Sequence, residues 1–280
     1  MIESSRYEEV LQIRLCRSPE FRLTATVSAY LVDGLLIDSG PAHTAKELVG
    51  FLEDQTVNTV VNTHHHEDHI AANAFLQARF GAEIFAHPLA VEKIARPAEL
   101  YPYQVEAWGD PVPSRARPLG PNIATKNHVF EVIHTPGHDR DHACLFERAR
   151  GWLFSGDLFV STRPVICRPM EDFWQVVEDL KLVRGLSPRL IFPAPTRVIE
   201  DPRERLGKVI ATLEELGGKI MQLHEMGLSP AEIRQRIFGE ENPAAARTQQ
   251  QFSSENLVKS FLKRSDLAAR SGWISILWTE

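Results

Sequence analysis

The chain has 280 residues, 43% of them hydrophobic and 24% charged, and a net charge of −6. That composition is ordinary for a globular protein, and the acidic balance does not suggest a polyanion binder. No apolar run reaches the length of a membrane span, and the polar N-terminus MIESSRYEEV does not read as a signal peptide. Cys16, Cys144 and Cys167 are scattered and odd in number, which points to a reducing, cytoplasmic setting without a disulfide framework.

Along the chain, TATVSAYLV and GLLIDSG read as two strands joined at Asp33-Gly34. PAHTAKELVGFLED reads as a helix and TVNTVVNT as a β-branched strand. IAANAFLQARF reads as a helix stopped by Gly81, and AEIFAH as a strand. Residues 96–127 are rich in Pro, Gly and aromatics, including Tyr101, Tyr103 and Trp108. They are expected to form a long irregular excursion of the kind that lines substrate sites. HVFEVIHT, ACLFERA and GWLFSGD read as three strands. DFWQVVEDLKLV places Phe173, Val176, Val177 and Leu180 on one helical face, and RLIFPA reads as a last strand. Interspersed strands and helices indicate a layered α/β protein.

After residue 200 the pattern is helical. Leu206, Val209, Ile210 and Leu213 share one face. Ser229, Pro230 and Glu232 form a helix start, and Leu257, Val258, Phe261 and Leu262 mark a further helix. Residues 201–280 carry 11 Lys/Arg and 11 Asp/Glu, so the acidic excess lies in the first 200 residues. The expected organisation is a domain over 1–200 and a small helical subdomain over 201–280. A mild basic surplus at Arg247, Lys259, Lys263, Arg264 and Arg270 is too thin to favour nucleic-acid binding. The helices read instead as a cap on the first domain or as support for a homodimer.

The stretch THHHEDH at 63–69 follows a predicted strand. Alternation at a strand end turns His64 and His66 to one side and His65 away. Asp68 and His69 come next, at a helix entry that favours the carboxylate. His138 and His142 in PGHDRDH, and Asp157 in SGD, also sit just past strands. Imidazoles and carboxylates delivered together suit zinc, iron or manganese. HEDHI does not match the HExxH zinc motif, because position 70 is Ile. His65 reads as a packing residue, His87 as structural or pocket-lining, and His43, His128, His134 and His224 as ordinary.

The ordered motifs H-x-H-x-D-H (64–69), T-P-G-H (135–138) and S-G-D (155–157) resemble the metallo-β-lactamase superfamily over roughly residues 20–200. The YLVDGLLIDSG segment resembles its opening hairpin, with Asp38 supporting the site. The tail more softly resembles the helical extension of a subgroup holding hydrolases and endoribonucleases. The resemblance implies a four-layer αββα sandwich with two metal sites. The first would take His64, His66 and His138, the second Asp68 and His69, and Asp157 would bridge them. The family's last histidine is replaced here by Pro195, which implies a tight first site and a weak second one. The implied activity is zinc-dependent hydrolysis of a small-molecule ester, thioester, lactone or phosphodiester by a metal-bound hydroxide. Asp68 would orient the nucleophile or carry its proton, and His142 would contact substrate or stabilise negative charge. Two alternatives stand beside it: a mononuclear-iron persulfide dioxygenase, and a degenerate relative that binds without catalysis.

Overall fold

The structure, a computed structural model, describes residues 1–21, 25–158 and 161–263. Two sheets account for its strands. The first holds seven in chain order: β1 (Ile2–Tyr7), β2 (Val10–Leu15), β3 (Val27–Val32), β4 (Leu35–Ile37), β5 (Thr59–Asn62), β6 (Glu83–Ala86) and β7 (Ala116–Pro118). It is antiparallel through β4 and parallel from β4 to β7. The second sheet holds β8 (Asn122–Ala124), β9 (Val129–His134), β10 (Ala143–Glu147), β11 (Trp152–Gly156), β12 (Leu190–Pro193) and β13 (Ile199–Glu200), in the spatial order β13-β12-β11-β10-β9-β8.

The expected hairpin forms at Asp33-Gly34. Both residues have positive φ, 48° and 82°, as a two-residue turn matching strand twist requires. Alternation along β3 and β4 then builds two cores. Tyr30, Val32, Leu35 and Ile37 meet Phe130, Leu145, Trp152, Phe154 and Phe192 of the second sheet. Leu31 and Leu36 face the other way, onto Leu48 of helix α1 (Ala45–Phe51) and Leu76 of helix α3 (Asn73–Phe80).

The short helix α2 (Glu67–Ile70) ends at the first residue of IAANAFLQARF, so the helix expected there begins only at Asn73; α3 ends as predicted at Gly81, with φ 67°. Helix α4 (Pro88–Ala95) follows β6. The excursion over 96–127 is more regular than expected. Pro102 opens helix α5 (Pro102–Ala107), where the Gln104 side chain accepts from the Tyr101 N–H at 2.9 Å, and β7 and β8 add edges to the two sheets. β1, β2 and β13 were not anticipated.

Helices α6 (Phe173–Gly185), α7 (Pro202–Glu225), α8 (Pro230–Phe238), α9 (Pro243–Arg247) and α10 (Ser254–Leu262) complete the described elements. The face of α6 predicted from its spacing is buried, and Ser229 and Glu232 form the predicted capping box of α8. Leu257, Val258 and Phe261 of α10 are buried, whereas Arg264 and Arg270 lie outside the described residues.

Among the described residues the chain divides into two compact units. The first comprises 1–21, 25–134, 140–158 and 188–202, and therefore both sheets. The second comprises 135–139, 161–187 and 203–263. Turn 135–139 joins the helices because Gly137 is bonded to α6. The Phe173 N–H donates to Ser260 Oγ at 2.9 Å and Trp174 Nε1 to the Phe261 carbonyl at 3.0 Å, which tie α6 to α10. Among the described residues no helix is long and apolar enough to cross a membrane.

Candidate metal centre

β5 ends at Asn62, and the chain turns at once through His64 and His66 into α2, whose N-cap is His66. His64, His66, Asp68 and His69 are all buried. His64 Nε2 lies 2.9 Å from His66 Nδ1, so the two rings point nitrogens at one spot and at most one can carry a proton there. His65 Nδ1 lies 2.8 Å from the buried carboxylate of Asp141, which also receives Lys93 Nζ at 2.8 Å.

His69 is fixed from behind. Its Nδ1 is 2.8 Å from Asp38 Oδ2, and its carbonyl receives Asn62 Nδ2 at 3.0 Å and the Ser39 N–H at 2.8 Å. Asp38 is buried at φ 59° and also accepts from the Thr63 N–H at 2.8 Å and Thr63 Oγ1 at 2.9 Å. Thr63 Oγ1 in turn lies 3.0 Å from His64 Nδ1. This leaves His69 Nε2 forward, buried and without a well-formed hydrogen bond, 3.4 Å from Asp157 Oδ1 and 3.8 Å from Asp68 Oδ2.

Burial alone would push the His69 ring down. The carboxylates of Asp38, Asp157 and Asp68 outweigh it and hold the ring well above its ordinary range. Nε2 facing two carboxylates calls for positive charge between them, which a ring proton supplies here and a metal ion could supply in its place. His64, His69 and Asp157 each bring a ligand atom to within 4.8 Å of the others, and this set of imidazole and carboxylate donors fits a divalent cation.

Asp157 follows β11 and is half-buried. Its N–H donates to His142 Nε2 at 3.2 Å, and the His142 ring is wholly buried. Gly156 has φ 47°, and a Cβ there would stand 2.6 Å from His142 Nε2 and 2.8 Å from Thr63 Oγ1, so only glycine fits. The buried His142 ring thus holds the strand end that carries Asp157. Across the sheet, the Ala194 N–H donates to the Gly156 carbonyl at 3.0 Å, and Pro193 pairs with Gly156. Pro195 follows two residues on.

In the second unit, the Gly137 N–H donates to Asp179 Oδ2 at 2.7 Å, and its carbonyl accepts from the Asp172 N–H at 2.8 Å. A Cβ at 137 would lie 2.5 Å from Val176 N. His138, next along, is buried, with Nδ1 3.9 Å from Glu171 Oε2.

Several partners had no sequence signal of their own. Gln104 Nε2 donates to Glu67 Oε1 at 2.7 Å and docks α5 on the histidine motif. His87 caps α4, accepting the Leu89 N–H at 3.3 Å, and stacks on His134 at 4.5 Å, which makes it structural.

A family model described as the metallo-beta-lactamase superfamily matches residues 24–194. The chain belongs to the metallo-beta-lactamase superfamily. The mixed two-sheet architecture is the αββα sandwich of that superfamily. A metallo-beta-lactamase family protein from Thermus thermophilus superposes with a TM-score of 0.66 at 20% identity, over 91% of this chain and 93% of that one. Beta-lactamase-like protein 2 homolog from Drosophila melanogaster is 26% identical over 212 residues, 71% of this chain and 67% of that protein. A hydroxyacylglutathione hydrolase from Rhizobium etli is 30% identical over 129 residues, 45% of this chain and 44% of its own length. The chain thus matches less than half of that relative. That relative is named as a hydrolase, and the His and Asp clusters of this chain suit a metal cofactor.

Proposed function

We propose that this superfamily enzyme hydrolyses a small-molecule thioester or ester at one tightly held zinc ion. The observation that carries the reading is the buried His64–His66 pair, whose Nε2 and Nδ1 face each other at 2.9 Å. Beside it, Asp38 turns His69 Nε2 toward Asp68 and Asp157. The thioester preference comes from the hydroxyacylglutathione hydrolase likeness. In this reading His64 and His66 hold the first metal with His138, on the strength of the T-P-G-H motif, and Asp157 adds a carboxylate. Asp68 and His69 hold a second ion weakly, because Pro195 offers no ligand. A bound zinc ion supplies a Lewis acid that polarises the electrophile and lowers the pKa of a water to about 7.

The protein's own groups do the rest. Asp68, buried at the start of α2, orients the attacking water and carries its proton toward the leaving group. His142 is reassigned from substrate contact to positioning. By accepting the Asp157 N–H it fixes the strand end that presents that carboxylate. Tyr101, 40% exposed and stacked on Tyr103 at 6.1 Å, is a candidate wall for the substrate. The protein acts from the cytoplasm in this reading.

A second reading follows from Pro195: three histidines and one carboxylate also suit a single iron and oxygen chemistry. Elemental analysis of protein purified without added metal decides between them. About one zinc per chain, lost together with thioesterase activity in His64→Ala, is the expected result. One iron, with oxygen uptake on a persulfide, would replace the proposal. Full activity in His64→Ala would remove the site assignment. Pro195→His is expected to raise the metal content toward two.

A further inference from the structure

In the first unit, each imidazole proposed to bind metal through Nε2 has an oxygen at its Nδ1. Thr63 Oγ1 stands 3.0 Å from His64 Nδ1, and Asp38 Oδ2 2.8 Å from His69 Nδ1. His66 differs because its Nδ1 is the nitrogen that faces His64 Nε2. In the second unit an oxygen also faces His138 Nδ1, Oε2 of Glu171, but at 3.9 Å it stands outside hydrogen-bond distance. A histidine that donates its second N–H to a carboxylate is locked in one tautomer and one ring orientation, and it becomes a stronger metal donor.

We propose that Glu171 is the positioning residue for His138: its carboxylate takes the Nδ1–H and leaves Nε2 as the metal-donor atom. The inference rests on the reading of His138 as a metal ligand.

The local structure is built to hold the pair. Gly137, one residue before His138, is clamped at both its N–H and its carbonyl by Asp179 and Asp172, and its bare Cα lies against Val176. Glu171 immediately precedes Asp172, the N-cap of α6, so the clamp that fixes the His138 backbone also fixes that of Glu171. The Glu171 carbonyl accepts from Ser260 Oγ and Lys263 Nζ, both at 2.8 Å. Its Oε1 accepts the Arg168 N–H at 3.0 Å, which leaves Oε2 on the His138 side. The side chain is only 12% exposed, so water competes weakly for that oxygen. The present 3.9 Å is longer than a hydrogen bond, and a shift of about 1 Å in the carboxylate brings it to charge-assisted length.

The test compares Glu171→Ala, Glu171→Gln and His138→Ala in the full-length protein. Zinc affinity is read by competition with a chromophoric chelator, geometry by the visible spectrum of the cobalt-loaded form, and folding by the melting temperature of the metal-free form. His138→Ala is expected to lose first-site zinc. Glu171→Ala is expected to bind zinc about 10- to 100-fold more weakly. Its cobalt spectrum should shift, and its metal-free melting temperature should stay within about 4 °C of native. Glu171→Gln, whose amide oxygen still accepts Nδ1–H, should recover part of the affinity. Native zinc affinity and cobalt spectrum in Glu171→Ala, with zinc lost in His138→Ala, would overturn the inference and leave the metal site standing. A matched fall of affinity and metal-free stability that glutamine does not relieve would make Glu171 a structural residue and overturn it as well. Native zinc affinity in His138→Ala would remove the ligand reading itself, and the role of Glu171 with it.

Discussion

Asp38 is the residue on which the centre turns. Aspartate at φ 59° pays a local conformational cost that surrounding contacts must offset. Its carboxylate does so by joining Thr63, and through it His64, to His69 in one buried network. Asp38→Ala frees the His69 ring to rotate and leaves Thr63 without its acceptor. The expected outcome is about a 10- to 100-fold loss of metal affinity in a competition titration. An unchanged affinity would show that His69 needs no tether. The histidines, Asp68 and Asp157 stood out in the sequence because such residues are seldom crowded by chance after three predicted strands. Thr63, Asp141 and Gln104 did not. Threonine and glutamine are common, and their partners lie 25 to 76 positions away or on an element the composition hid. The hydrogen bond from the Asp157 N–H to His142 was equally hidden, because spacing says nothing about which side of Asp157 a ring occupies.

Among the elements, α5 shows how a loop-like composition can conceal a docked helix. Pro, Gly and aromatics over 96–127 suggested irregular chain, yet Pro102 suits a helix's first turn and Gln104 closes its cap. The same glutamine bonds Glu67, the buried residue between His66 and Asp68. This bond ties α5 to the histidine motif. Gln104→Ala removes a hydrogen bond from a buried carboxylate and should cost about 1–3 kcal/mol in urea unfolding, with weaker metal binding. A loss no larger than that of an exposed surface substitution would place the coupling elsewhere. β1 escaped notice for a different reason. It is an edge strand with three consecutive exposed residues, so it lacks the alternation by which a half-buried strand is read. Strands β3, β9, β10 and β11, with strong β-branched or aromatic patterns, were visible at once, as was the capping box of α8.

At the scale of the molecule, composition marks a change of character near residue 200, and long-range contacts group the chain into compact units. The contacts that move turn 135–139 and α6 to the helical unit span 42 to 87 residues, beyond any local pattern. Long-range packing also decides how the first unit responds to acid. His87 directly follows β6 of the first sheet and stacks on His134 at the end of β9 of the second. Burial first, then the neighbouring His134 charge and Lys93, push its imidazole down to about 4, against the opposing pull of Asp141. The folded protein thus keeps His87 neutral where an unfolded chain, with an ordinary value of 6.5, already binds a proton. Between pH 6.5 and 4 the unfolded state holds more protons, so stability present above pH 6.5 is lost as pH falls through that window. The slope from one such group is at most about 1.4 kcal/mol per pH unit. His87→Asn removes the titrating ring but keeps an N-cap that can accept the Leu89 N–H of α4. With metal removed by chelation, so that the ligand histidines behave alike in both proteins, urea midpoints taken from about pH 7 to about pH 4.5 should fall more steeply for the native chain than for the variant. Parallel lines would mean that His87 is protonated in the fold, and that the stack with His134 tolerates a charge.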